Sequence, residues 1–134
     1  METFNYPTSG IVTDAAHSTK KGLTEYQGLD LTTGEKVFYE SLGDQTTNIG
    51  EFLAVIDGLK YIIETNYEPK VLYTDSMVAI TWVKNKSTGS KKEHHLLKKA
   101  EVFLKIMESK INQIQIIHWD SKKWGESPAD FGNK

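Results

Sequence analysis

The stretch Thr46-Thr47-Asn48-Ile49-Gly50-Glu51-Phe52-Leu53-Ala54-Val55 reads as the capped start of an amphipathic helix. Further on, Leu72-Tyr73-Thr74-Asp75-Ser76 reads as a buried strand ending on a carboxylate. Apolar residues at Phe52, Val55, Ile56, Leu59, Ile62 and Ile63 form one stripe at i, i+3/i+4, i+7 spacing. A helix from Asn48 to about Asn66 is therefore expected to lie on a sheet. Asn48 suits its N-cap and Glu51 the reciprocal position of a capping box. Asp75, between strand and helix, suits a cap of the next helix. Both acids also sit where helices begin beyond strand ends, the place ligands occupy in open α/β sheets.

Working outward, Gly10-Ile11-Val12-Thr13-Asp14-Ala15-Ala16 is predicted to be a first strand, followed by a polar turn through His17-Ser18-Thr19-Lys20-Lys21-Gly22. Leu23 to Leu31 and Lys36 to Leu42 read as two strands joined by the glycine-containing loop Thr32-Thr33-Gly34-Glu35, completing an antiparallel meander. A helix separates Val71–Thr74 from that meander, so this strand is expected to run parallel to the first. Ser76 to Asn85 reads as a short helix carrying Val78, Ile80, Trp82 and Val83, and Lys86-Ser87-Thr88-Gly89-Ser90 breaks the pattern. Lys92 to about Lys110 reads as a helix with Leu96, Leu97, Val102, Phe103, Ile106 and Met107 on its apolar side. Ile114 to Trp119 forms a last strand, then a polar loop runs through Trp124-Gly125-Glu126. Ser127-Pro128-Ala129-Asp130 has proline at the first position of a new helix, where Asp130 would complement the dipole. The expected fold is one α/β domain over residues 1–134: a five-stranded mixed sheet, three antiparallel strands then two parallel, flanked by helices.

Composition fits a soluble globular chain, with 38% hydrophobic and 25% charged residues. No run approaches the roughly 20 apolar residues of a membrane span, and Met1 to Pro7 has no secretory pattern. Without cysteine there is neither a disulfide framework nor a thiolate metal site, and a cytoplasmic location is expected. Charge is uneven. Residues 1–83 carry twelve Asp+Glu against five Lys, and residues 84–110 carry eight Lys against three Glu. A basic segment on a mildly acidic protein suits either a polyanion or a solvated helix face. The chain has no arginine, so phosphate contacts fall to Lys, hydroxyls, amides and backbone N–H groups.

Asp14 is the acid without a capping role, on a strand that otherwise reads as core. A buried carboxylate costs several kcal/mol unless it is paired or metal-bound. If Asp14 faces the same sheet edge as Glu51, Asp75 and Asp130, four carboxylates converge, and a hard divalent cation relieves their repulsion. Oxygen-only ligation favours Mg²⁺ or Mn²⁺ over zinc. No histidine has metal spacing: His94 and His95 are expected to point to different sides of a helix, His17 to lie in a loop and His118 at a strand end.

In order, spacing and context, Asp14, Thr46-Thr47-Asn48-Ile49-Gly50-Glu51, Thr74-Asp75-Ser76 and Ala129-Asp130 resemble the signature of type 1 ribonuclease H. The bacterial group whose C-terminus reads like Lys123-Trp124-Gly125-Glu126…Ala129-Asp130-Phe131-Gly132 is the nearest in pattern. This resemblance implies the ribonuclease H-like fold, with Asp14, Glu51, Asp75 and Asp130 binding two Mg²⁺ ions, Mn²⁺ being a substitute. One ion would activate the attacking water and the other stabilise the leaving 3′ oxygen, giving 5′-phosphate and 3′-hydroxyl ends. The implied substrate is the RNA strand of an RNA/DNA hybrid, read through its 2′-OH groups. Glu126 matches a position that aids metal exchange or product release, or is an exposed loop acid. Thr46, Thr47 and Asn48 match the phosphate-contact segment, with Ser76, Ser87 and Thr88 as further substrate contacts. Trp82 matches an aromatic near the DNA strand, or is helix–sheet core, and Lys134 matches a terminal lysine near the active site.

The chain departs from that pattern at Thr47, where related sequences carry asparagine, and at Met77, where they often carry glutamine. Ala16, His17, Ser18 and Thr19 replace glycines that allow close approach to RNA. With about ten residues before the first strand, no separate N-terminal hybrid-binding module is expected. Two other readings stand beside the hybrid ribonuclease: a superfamily nuclease with another nucleic-acid substrate, and a hybrid-binding module without turnover. A monomer with no obligate protein partner is expected.

Overall fold

In a computed structural model, residues 6–90 and 94–129 are described. The elements run β1 (Ile11–Ser18), β2 (Leu23–Asp30), β3 (Lys36–Gly43), α1 (Thr47–Thr65), β4 (Val71–Thr74), α2 (Met77–Asn85), α3 (His95–Ile106), α4 (Glu108–Ile111), β5 (Gln115–His118) and α5 (Ser121–Trp124). The sheet order is β3-β2-β1-β4-β5. β1–β2 and β2–β3 are antiparallel, whereas β1–β4 and β4–β5 are parallel. The expected mixed sheet is therefore present, with β1 at its centre. Among the described residues no helix is long and apolar enough to cross a membrane.

The stripe on α1 explains its place. Ile49, Phe52, Val55, Leu59 and Ile62 are wholly buried, and full burial of such side chains contributes about 1.5–3 kcal/mol each. Two glycines let the helix close onto the sheet. A Cβ at Gly50 would lie 2.9 Å from the Thr24 methyl, and one at Gly58 would lie 2.5 Å from Leu72 Cδ1. Val12, Trp119 and Ala129 form a second, smaller core. There Trp119 packs edge-on to Tyr73 at 5.8 Å and to Trp124 at 5.1 Å.

Several local expectations change. Thr46, not Asn48, is the N-cap of α1: its side chain accepts the Ile49 N–H, and Asn48 is an exposed first-turn residue. Ser76, not Asp75, caps α2, accepting the Ala79 N–H at 3.0 Å. The helix expected over 92–110 is two, separated at Met107, so that Ile111 and Ile114 reach the core. On α3 the buried stripe is Leu97, Ala100 and Leu104. Val102 and Ile106 project from the opposite side and are exposed, so they are not core. His17 belongs to β1 rather than a loop. His94 is the N-cap of α3, not a helical residue, and its ring stacks on His95 at 4.8 Å instead of pointing away from it. The supposed polar loop contains α5, capped by Asp120. Ser127 Oγ accepts the Ala129 N–H at 3.1 Å, and the helix start expected at Asp130 lies outside the described residues.

Candidate metal centre

Three elements deliver one acid each to the same point. Asp14 projects from central β1, Glu51 from the first turns of α1, and Asp75 follows the last residue of β4. One carboxylate oxygen from each lies within 4.8 Å of the others. Asp14 is 5% and Glu51 7% exposed, while Asp75 faces solvent. Because Ser76 performs the cap, the competing structural explanation of Asp75 falls away. Glu51 likewise has no capping-box partner in Asn48.

Burial is the main cause that pushes the Glu51 carboxyl up to about 9. The charges of Asp14 and Asp75 push the same way, as does a hydrogen bond with Asp14, against a smaller opposing effect from the Ala15 backbone. Glu51 Oε1 is buried and takes no hydrogen bond. A buried carboxylate with one oxygen free of hydrogen bonds, beside two further carboxylates, fits a hard cation, which would reverse the sign of the field at Glu51. With no cation, a proton on Glu51 relieves the repulsion.

The segment before Asp130 is tied to this region. Gln27 pairs with Asp14 across β1–β2 and donates from Nε2 to the Ala129 carbonyl at 2.7 Å. Asp130 and Lys134 themselves lie outside the described residues. Thr46, Thr47 and Asn48 are exposed at the start of α1, one turn before Glu51. Glu126 is exposed in the turn after α5 and is not one of the three acids within 4.8 Å. Trp82 is half-buried, edge-on to Phe52 at 5.5 Å, so it flanks the core. The Ser87 N–H bonds the Trp82 carbonyl, and the Thr88 N–H bonds Glu101 at 2.9 Å, so both backbones serve the α2–α3 connection. Sequence reasoning passed over Gln27 and Thr24, both buried polar residues of β2. Three residues apart on one strand, they face opposite sides of the sheet, Thr24 against Gly50 of α1 and Gln27 against Ala129, so alternation along Leu23–Asp30 could not have placed both inward.

The sequence profile of a family described as reverse transcriptase-like matches residues 34–122. The chain is also similar to LC11-RNase H1, isolated from compost by a metagenomic approach: 18% identity, TM-score 0.56, covering 84% of each chain. The same comparison with LC11-RNase H1 in complex with an RNA/DNA hybrid gives 16% identity, TM-score 0.52, and 84% of this chain against 86% of that one. An N-terminal RNase H domain from Mycobacterium tuberculosis, solved as a fusion with maltose-binding protein, shows 18% identity and TM-score 0.51, covering 84% and 81%. At these identities the likeness is one of fold, and the mixed sheet with its flanking helices is the ribonuclease H-like fold.

Proposed function

The chain belongs to the reverse transcriptase-like family, within the ribonuclease H-like superfamily, and from that premise we propose that it is a metal-dependent endonuclease cutting the RNA strand of RNA/DNA hybrids. The observation that carries this reading is the convergence of Asp14, Glu51 and Asp75 within 4.8 Å, with Glu51 Oε1 buried and unpartnered. Asp130, next to the anchored Ala129, is the proposed fourth ligand. Two Mg²⁺ ions held by these acids would supply the Lewis acidity that in-line phosphodiester hydrolysis requires.

The chain's own groups divide the remaining work. Asp14 and Glu51, on rigid and buried elements, hold their oxygens in place before substrate arrives. Exposed Thr47 and Asn48 offer hydroxyl, amide and backbone N–H groups at a helix N-terminus, suited to a phosphate in a chain without arginine. Ser76, Ser87, Thr88, Trp82 and Lys134 are proposed as further substrate contacts, and Glu126 as an aid to turnover. The Lys-rich segment 84–110 supplies the favourable field for a polyanion. The bacterial type 1 pattern, a cytoplasmic location and action as a monomeric single domain belong to the same reading.

Labelled RNA/DNA hybrid, duplex DNA and duplex RNA, each incubated with Mg²⁺ with and without chelator, test it. The expected result is cutting of the hybrid's RNA strand to 5′-phosphate and 3′-hydroxyl ends, abolished by chelator. Preferential cutting of duplex DNA or duplex RNA would overturn the hybrid assignment. Binding of the hybrid without cutting in either Mg²⁺ or Mn²⁺ would overturn the enzyme.

A further inference from the structure

We propose that His17 is a positioning residue that locks the entry of α1 to the end of β1, an inference resting on the nuclease reading above. β1 and β2 pair His17 with Thr24, which is wholly buried. The Thr24 hydroxyl donates to the Gln45 carbonyl in a short hydrogen bond and accepts the Gln45 N–H at 3.2 Å. A hydroxyl has one hydrogen and two lone pairs. The hydrogen is committed to the carbonyl and one lone pair to the N–H, so the His17 Nδ1 at 2.8 Å must be a donor to the other. Nδ1 thereby carries a hydrogen, and Nε2 lies 3.7 Å from Asp44 Oδ1.

This latch acts on the residues just after Gln45. The Gln45 side-chain oxygen is buried without a partner, so the residue is anchored through its backbone by Thr24. The next residue is the N-cap Thr46, succeeded by exposed Thr47 and Asn48. His17, through Thr24, fixes how these polar groups stand beside the acids, and so acts on substrate binding. Glu51 is 7% exposed and follows Gly50, whose Cα approaches the Thr24 methyl and Ala15 too closely for any side chain, so its placement rests on that packing rather than on the His17–Thr24 hydrogen bond. Metal binding should therefore not depend on His17.

The test compares His17→Leu, which lacks the donor, with His17→Asn, whose amide nitrogen restores one at the Nδ1 position. His17→Leu is expected to raise KM for the hybrid about fivefold with kcat within about twofold, and His17→Asn to restore KM. Exchange of the Gln45 amide is expected to quicken about tenfold in His17→Leu and to return toward wild type in His17→Asn. Mn²⁺ affinity is expected to be unchanged in both. His17→Ala carries the same expectations as His17→Leu and serves as a second donor-free variant. Unchanged KM and Gln45 exchange without the donor, failure of His17→Asn to restore them, or a loss of Mn²⁺ affinity would overturn the proposal. If the wild-type protein cuts no nucleic acid, the site reading fails, while Gln45 exchange in the two variants still decides whether the latch exists.

Discussion

Two buried aspartates on paired strands meet opposite fates. Asp14 and Asp30 are 5% and 9% exposed, one well along β1 and the other across from Ile11 at its beginning. Asp30 is surrounded by donors: its Oδ1 accepts the Tyr67 hydroxyl at 2.6 Å and the Thr32 N–H at 2.8 Å. Asp14 instead has two acids beside it, Glu51 and Asp75, with one oxygen of each within 4.8 Å. A carboxylate among donors is satisfied within the fold, whereas one among carboxylates requires a proton or a cation. Burial of an acid is thus no sign of function by itself. The groups around it decide.

The sharpest contrast comes from Asp75→Asn. It is expected to lower hybrid cleavage by about 10³-fold or more. Because Ser76 caps α2, Tm should stay within about 2 °C, read by circular dichroism. Unfolding of this variant would make Asp75 a structural acid like Asp30. The mirror substitution, Asp30→Ala, removes the acceptor of the Tyr67 hydroxyl's shortest hydrogen bond and of the Thr32 N–H, leaving that hydroxyl its longer contact with the Gly10 carbonyl at 3.3 Å. It is expected to cost about 1–3 kcal/mol in urea unfolding while kcat is retained.

Glu51→Gln separates stability from function at one residue. The wild-type unfolded chain loses this proton in the ordinary carboxyl range, whereas the folded protein keeps it up to about 9. Between those values the metal-free folded state binds more protons, so its stability falls as pH rises. The glutamine variant has no proton to lose. Its metal-free Tm at pH 8 is expected to exceed wild type by about 3–6 °C, with cleavage lost. Added Mg²⁺ should raise the wild-type Tm alone. The smallest effect is that of Tyr67→Phe, about 1 kcal/mol with no change in activity.

Much of this was legible in the residues. The α1 stripe, the antiparallel meander and the parallel return of β4 follow from periodicity and connection length, and these place Asp14, Glu51 and Asp75 at one edge. Asp30 escaped notice because nothing in Leu23–Leu31 reveals a tyrosine arriving from residue 67. Caps moved by one or two residues because Thr46 and Ser76 compete with Asn48 and Asp75, and side-chain propensity alone does not rank neighbours. Val102 and Ile106 were misplaced because a helix with apolar residues on two sides does not declare which side meets the core. His17 was hidden for a different reason: its partner Thr24 becomes meaningful only once β2 returns beside β1.

Calorimetric titration of Mn²⁺ into the protein near pH 7, in two buffers of different ionisation enthalpy, tests most directly whether the three acids form a cation site. Binding is expected with release of about one proton, that held by Glu51, and is expected to vanish in Asp14→Asn. Absence of binding, or binding that releases no proton and survives in Asp14→Asn, would contradict it.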